Sequence, residues 1–149
     1  MKVRAFAIFV FLLGAISYAL VSYFVPPRPS VNLTAEFVAA TTAVTDDNFA
    51  DIVLTSKQPV VLNFYGDYCG VCRQLEPEFA ALARDHATRA VFVRVNVQQS
   101  PGLIERFDVR AVPTLIVLDQ GDTLVHQSGV AALKAVQVAL ASAKPTTVR

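Results

Sequence analysis

The sequence has only two cysteines and two histidines among its 149 residues. An exported domain held by a multi-disulfide scaffold would carry more cysteines, so this pair forms no structural framework. Zinc needs four ligands, and beside Cys69 and Cys72 the remaining candidates, His86 and His126, lack the paired spacing of a zinc site. Positive charge is scarce as well. After Arg28 there are ten basic and twelve acidic residues with no basic cluster, which argues against a nucleic-acid partner. There is no internal repeat, and the one low-complexity stretch is a short proline run.

Charge is missing altogether from Ala5 to Val25. A helix over those residues, at about 1.5 Å per residue, would reach roughly 31 Å, matching a hydrocarbon core of about 30 Å. A cleaved secretory signal is the competing reading, since Lys2 and Arg4 form a basic start and Ser17-Tyr18-Ala19 is a weak cleavage match. A signal core usually runs only about 7–15 residues, whereas this one continues through Val25, so an uncleaved anchor is the reading adopted. Basic residues before the span keep residues 1–4 cytoplasmic and place everything after Val25 outside, in the periplasm if the cell is bacterial. The expected protein is single-pass in the cell (inner) membrane.

Residues 26–43 read as a linker. Pro26-Pro27-Arg28-Pro29-Ser30 stiffens its start, because successive prolines lack amide donors and favour extended backbone. At its far end the sequence supports only a possible first short strand. From residue 44 to 143 the pattern is that of one α/β domain, followed by a polar tail at 144–149. Thr45-Asp46-Asp47-Asn48 supplies caps for a short helix through Leu54. The β-formers of 59–65 and 91–97 predict two buried strands joined through a helix from Cys69 to about His86, a βαβ unit with a parallel pair. Pro77 falls inside that helix as an expected kink. Pro101 opens a short helix to about Phe107, residues 114–118 and 123–126 predict a hairpin through Asp119-Gln120-Gly121-Asp122, and Leu133, Val136, Val138 and Leu140 predict a closing helix.

The chemistry sits in Cys69-Gly70-Val71-Cys72, which follows a buried strand and opens a helix. Free amides and the positive end of the dipole favour a thiolate on Cys69, and Cys72, three residues on, shares its helix face. Cys69 is therefore the expected attacking sulfur and Cys72 its partner. A purely structural staple is the weaker reading, since so short a loop yields only about 2 kcal/mol in the chain-entropy model. Two inert thiols would conflict with an oxidising compartment.

These residues, with Val60-Val61-Leu62-Asn63-Phe64-Tyr65 before the motif, Arg73 and Pro77 after it, Val109-Arg110-Ala111-Val112-Pro113-Thr114 further on and Gly129 beyond the hairpin, resemble the thioredoxin family over about two thirds of the chain. The resemblance implies a thioredoxin fold, a central mixed sheet flanked by helices in three layers, here preceded by one transmembrane helix. It implies a thiol:disulfide oxidoreductase that needs no cofactor beyond its Cys69–Cys72 disulfide. It implies that Pro113 is cis beside the cysteines, and that a client strand pairs with the backbone of Val112. Tyr68, Gly70, Val71, Pro113, Thr114 and Gly129 are expected to line that client site. The implied partners are exported proteins carrying cysteines or disulfides and a membrane electron donor. A binding module that uses the same groove, or an oxidant or isomerase, is the rival reading.

Two departures from the family are visible. Its usual tryptophan before the first cysteine is Tyr68, and its buried acid is Asn63, with Arg94 at the position of the accompanying base. An amide cannot accept the Cys72 proton, so Asn63, Arg94 and Arg73 are expected to tune rate and potential. Asp67 is the alternative acid, and His86 and His126 are expected at the surface. Val71 stands where strongly oxidising relatives carry histidine, which favours a reductase.

Overall fold

The structure is a computed structural model that describes residues 33–142. The expected anchor at 5–25, the tail before it, the proline stretch and the tail at 144–149 lie outside the described residues. Among the described residues, no helix is long and apolar enough to cross a membrane.

A five-stranded mixed sheet organises the domain, with strand order β1-β3-β2-β4-β5. β1 (Thr42–Val44) and β2 (Val60–Tyr65) both run parallel to β3 (Val91–Asn96), whereas β4 (Thr114–Asp119) is antiparallel to β2 and to β5 (Asp122–Ser128). Side chains alternate across a strand, so β2 buries Val61 on one face and Leu62 and Phe64 on the other. Burial on both faces explains why this strand reads as an unbroken apolar run. The Val61 face packs Leu75, Phe79, Phe92, Leu115, Leu133 and Val136 beneath the helices α2 (Gly70–Asp85) and α4 (Ala132–Ser142). The opposite face packs Phe49, Val53, Val93, Val95 and Leu103 beneath a π-helical turn at Ala50–Leu54 and helix α3 (Pro101–Arg106). Gln120 and Gly121 both take positive φ, 51° and 96°, the two-residue turn whose twist matches antiparallel strands.

Three expectations are corrected. The second half of the expected linker is structured: helix α1 (Ala35–Ala40) precedes β1, and its Phe37 is fully buried against Phe79, with ring centroids 5.8 Å apart. Thr34 caps the helix, its Oγ1 accepting from Phe37 N. Six residues are too few for a helical period to register in sequence, and Phe37 is the only one of them buried. Asp46 does not cap the turn that follows it. Its carboxylate accepts from Gly102 N and Leu103 N, 2.9 and 2.8 Å away, at the start of α3. In α4, Val138 is 60% exposed, because the buried face runs Leu133, Val136, Leu140 at three- and four-residue steps and position 138 falls off it.

Arg94 fastens α1 to the sheet. Its guanidinium donates to the Val38 carbonyl, and to the carbonyl and the hydroxyl of Thr41 at the end of the helix. Bonds from a charged donor are worth about 1.5–3 kcal/mol each in stability series, so Arg94→Ala is expected to lower unfolding free energy by at least that amount. A urea titration measures the loss, and amide exchange over residues 35–40 should accelerate first.

Candidate active site

β2 ends at Tyr65, the chain turns through Gly66 with Cys69 N donating to Gly66 O at 3.1 Å, and α2 begins. Cys69 is the cap of α2: its extended backbone precedes the helix, and its Sγ accepts from Cys72 N at 3.1 Å. The two cysteines form a disulfide with Cα atoms 5.2 Å apart. Cys69 is half-buried and Cys72 is 3% exposed, so an attacking group reaches the first sulfur and not the second.

Across from the disulfide, the Val112–Pro113 peptide is cis, and the Val112 carbonyl oxygen lies 3.7 Å from Cys69 Sγ. A disulfide sulfur carries no proton, so this is a contact and not a hydrogen bond. Pro113 is buried, and its carbonyl accepts from Gly129 N at 2.8 Å, with Gly129 at a φ of 84° that favours glycine. Thr114 is fully buried, its Oγ1 bonded to Ala111 O and to Ser128 Oγ, both at 2.7 Å. These bonds hold the loop of Val112 against the cysteines.

An open groove of about 400 Å³ lies over this junction, lined by Gly66, Tyr68, Cys69, Gly70, Val71, Gln98 and Val112. Tyr68 is 82% exposed and Val71 45%, so apolar surface flanks the accessible sulfur. A larger cavity, beside Val53, Lys57, Val60 and Leu118, contains no sulfur and lies at the other end of β2 and β4. Of the expected client-site residues, Tyr68, Gly70, Val71 and Val112 line the groove, while Pro113, Thr114 and Gly129 stand behind it.

Asn63 is 1% exposed on the sheet face that packs against α2, and its Oδ1 has no hydrogen-bond partner. Arg94 is its register neighbour on β3, as the family resemblance implied, but the guanidinium turns to the α1 carbonyls and makes no hydrogen bond to Asn63. A neutral amide offers no charge to hold the guanidinium, and three oxygens at the helix end do. Arg73 follows Cys72 on α2, half-exposed, and takes part in no ion pair among the described residues. The Asp67 carboxylate accepts from Asn96 Nδ2 at 2.7 Å, and its own amide donates to Gln98 Oε1. Burial pushes the Tyr65 phenol up, with Arg94 and a bond to Asn96 only partly offsetting it. His86 is half-buried with Nδ1 at 3.1 Å from Leu82 O, and His126 is exposed on β5. Among the described residues no cluster of histidine, cysteine and acids could hold a metal ion.

Two residues of this region escape sequence reasoning. Gln98 enters the groove only because β3 ends beside Gly66, and nothing local to its position signals that. Glu76 is buried on α2, where its one-turn spacing from Cys72 was the available signal.

A helix cap carrying one accessible sulfur, disulfide-bonded to a buried second one beside an open groove, is the arrangement of a thiol:disulfide oxidoreductase. The thioredoxin family model matches residues 40–142, and the chain belongs to the thioredoxin family. It is similar to thioredoxin of Thiocapsa roseopersicina, 34% identical over 53% of this chain and 87% of the relative, and to thioredoxin of Streptomyces clavuligerus, 37% identical over 54% and 75%. Among solved structures, the germline-specific thioredoxin Deadhead of Drosophila melanogaster superposes with a TM-score of 0.62 at 27% identity, covering 69% of this chain and 99% of that one. The redox group is the protein's own disulfide, and the family's chemistry requires no cofactor.

Proposed function

We propose that this protein reduces disulfides of exported client proteins from the outer side of the cell membrane, where an N-terminal helix over residues 5–25 holds it and a membrane donor returns electrons to it. The observation that carries the chemistry is the asymmetry of the pair: a half-buried Cys69 at the cap of α2, open to the groove, and a buried Cys72 one turn inside. In the reduced protein the Cys69 thiolate attacks one sulfur of a client disulfide, and a mixed disulfide forms as the first client thiolate leaves. Cys72 then attacks Cys69 Sγ and expels the second, so two electrons pass to the client. The Val112 backbone beside Cys69 supports pairing with an extended client segment.

Cys72→Ser is expected to accumulate mixed disulfides with clients, and Cys69→Ser to accumulate none, read on non-reducing gels. Equal trapping by both would reverse the assignment.

Reduction is favoured by Val71, which offers neither charge nor hydrogen bond to a thiolate and so leaves the reduced form without extra support. Asn63 acts in the opposite sense, because removing a buried negative charge eases thiolate formation. Equilibration with glutathione buffers is expected to give a potential nearer the thioredoxin value of about −270 mV than the roughly −120 mV of the strong periplasmic oxidant. A value above about −180 mV would make the protein an oxidant or isomerase.

The location rests on the uncharged run from Ala5 to Val25 and the basic residues before it. A reporter fused after Arg149 should be active only outside the cytoplasm, and the chain should resist carbonate extraction. A soluble form starting near Leu20 would replace the anchor with a cleaved signal.

A further inference from the structure

We propose that Glu76 is the proton acceptor for Cys72, a role that rests on the thiol–disulfide exchange proposed above and replaces the buried acid that Asn63 lacks. Besides Cys72 itself, Glu76 is the only ionisable residue among the described ones that is buried, and the two share the same exposure of 3%. The two are four residues apart on α2, so they stack on one face, with Cβ atoms about 5–6 Å apart. Helical side chains lean toward the N-terminus, which lays the Glu76 carboxylate back over the turn that carries Cys72.

The carboxylate is not neutralised by a cation. Its one hydrogen bond among the described residues comes from the amide of Thr34, 2.9 Å from Oε2, and no lysine or arginine of the described residues pairs with it. Burying a carboxylate on a single amide is costly, and that cost has no return in packing that an uncharged side chain would not supply. A carboxylate held in this way one helical turn from a buried thiol has a use in proton transfer. Asn63, on the sheet face that packs against α2, can only donate or accept a hydrogen bond, and its Oδ1 has no partner. Of the charged and titratable groups near Glu76, Tyr65 of β2 interacts with both Glu76 and Arg94 of β3, Arg73 stands three residues before Glu76 on α2, and Glu36 of α1, two residues from Thr34, is exposed and paired with Arg84. The Arg94 guanidinium is committed to α1, and burial pushes the Tyr65 phenol up.

The step balances without a further reactant. In the mixed disulfide, the Cys72 proton passes to the Glu76 carboxylate as Cys72 Sγ bonds to Cys69 Sγ. The Cys69–client S–S bond breaks, its electron pair leaves on the client sulfur, and that thiolate takes a proton from Glu76 or from water. The client disulfide is then fully reduced and the Cys69–Cys72 pair oxidised.

The test is a single turnover of the reduced full-length chain in detergent with a peptide carrying one disulfide, acid-quenched and weighed by mass spectrometry. Formation of the mixed disulfide reports Cys69 and its disappearance reports Cys72. Glu76→Gln keeps the size and can still accept from Thr34 N, but takes no proton. Formation should keep its rate, whereas resolution at neutral pH should slow by about 100-fold or more, the usual contribution of a positioned base. The deficit should narrow as pH rises and hydroxide removes the Cys72 proton instead. Resolution at the unmodified rate would overturn the proposal. Should the variant fail to fold, the unmodified chain decides: resolution slower in heavy water than in light water supports a proton in flight, and equal rates overturn it. Absence of any mixed disulfide in the unmodified chain would instead defeat the exchange reading itself.

Discussion

The amide of Cys72 points at the sulfur of Cys69 across 3.1 Å, and the site is built outward from that bond. It exists because α2 begins at Gly70, which leaves the first-turn amides without helical partners and puts Cys69 at the cap. The helix begins there because β2, buried on both faces, is held in register between β3 and β4 and delivers the chain at Tyr65. A sulfur in that position is favoured as an anion by the free amides and the dipole together. Sheet register, helix start and thiolate character are thus one constraint. A shift of β2 by one residue would reverse its buried faces and move the cysteines off the groove.

The electrostatics behind the pair are arranged unlike those of the family pattern. With an amide at position 63 there is no buried charge in the strand for Arg94 to answer, and the guanidinium secures α1 instead. The buried carboxylate is on the helix, at Glu76, and its one amide partner is at the start of that same α1. Helix α1 is therefore tied at both ends to residues flanking the cysteine-bearing layer, through Arg94 at its C-terminus and Glu76 at its N-terminus. Phe37 lies between these ties, against Phe79 and with Tyr65 6.3 Å away. A segment that precedes the first strand thus packs on the helix that carries Cys72.

How much of this could be read from sequence depended on length and locality. The central strands and α2 were legible because each carries a run long enough to show its period, and the hairpin because Gln120-Gly121 suits a turn needing positive φ twice. Cys69 and Cys72 were legible as a pair because their spacing and the helix start are local. Helix α1 was not, since its six residues hold one buried side chain and its stability comes from Arg94, far along the chain. The direction of the Arg94 side chain was hidden for the same reason: register with Asn63 follows from strand pairing, whereas its partners belong to an element the sequence did not announce. Asp46 misled because a capping residue looks alike whether it serves the next helix or one more than fifty residues later.

The groove sets how such a site can choose among protein disulfides. Its reactive wall offers the backbone of Val112, and its rim offers the exposed apolar surfaces of Tyr68 and Val71. Backbone pairing recognises an extended chain and not a sequence, and apolar rims with no charged side chain reject few partners. Gln98 is the only polar side chain on the lining besides the Tyr68 hydroxyl, and its Oε1 is already engaged by the amide of Asp67. What the groove presents to a disulfide is therefore mainly shape and backbone, at the side of Cys69. An extended segment fits such a groove, and its side chains add little to the fit.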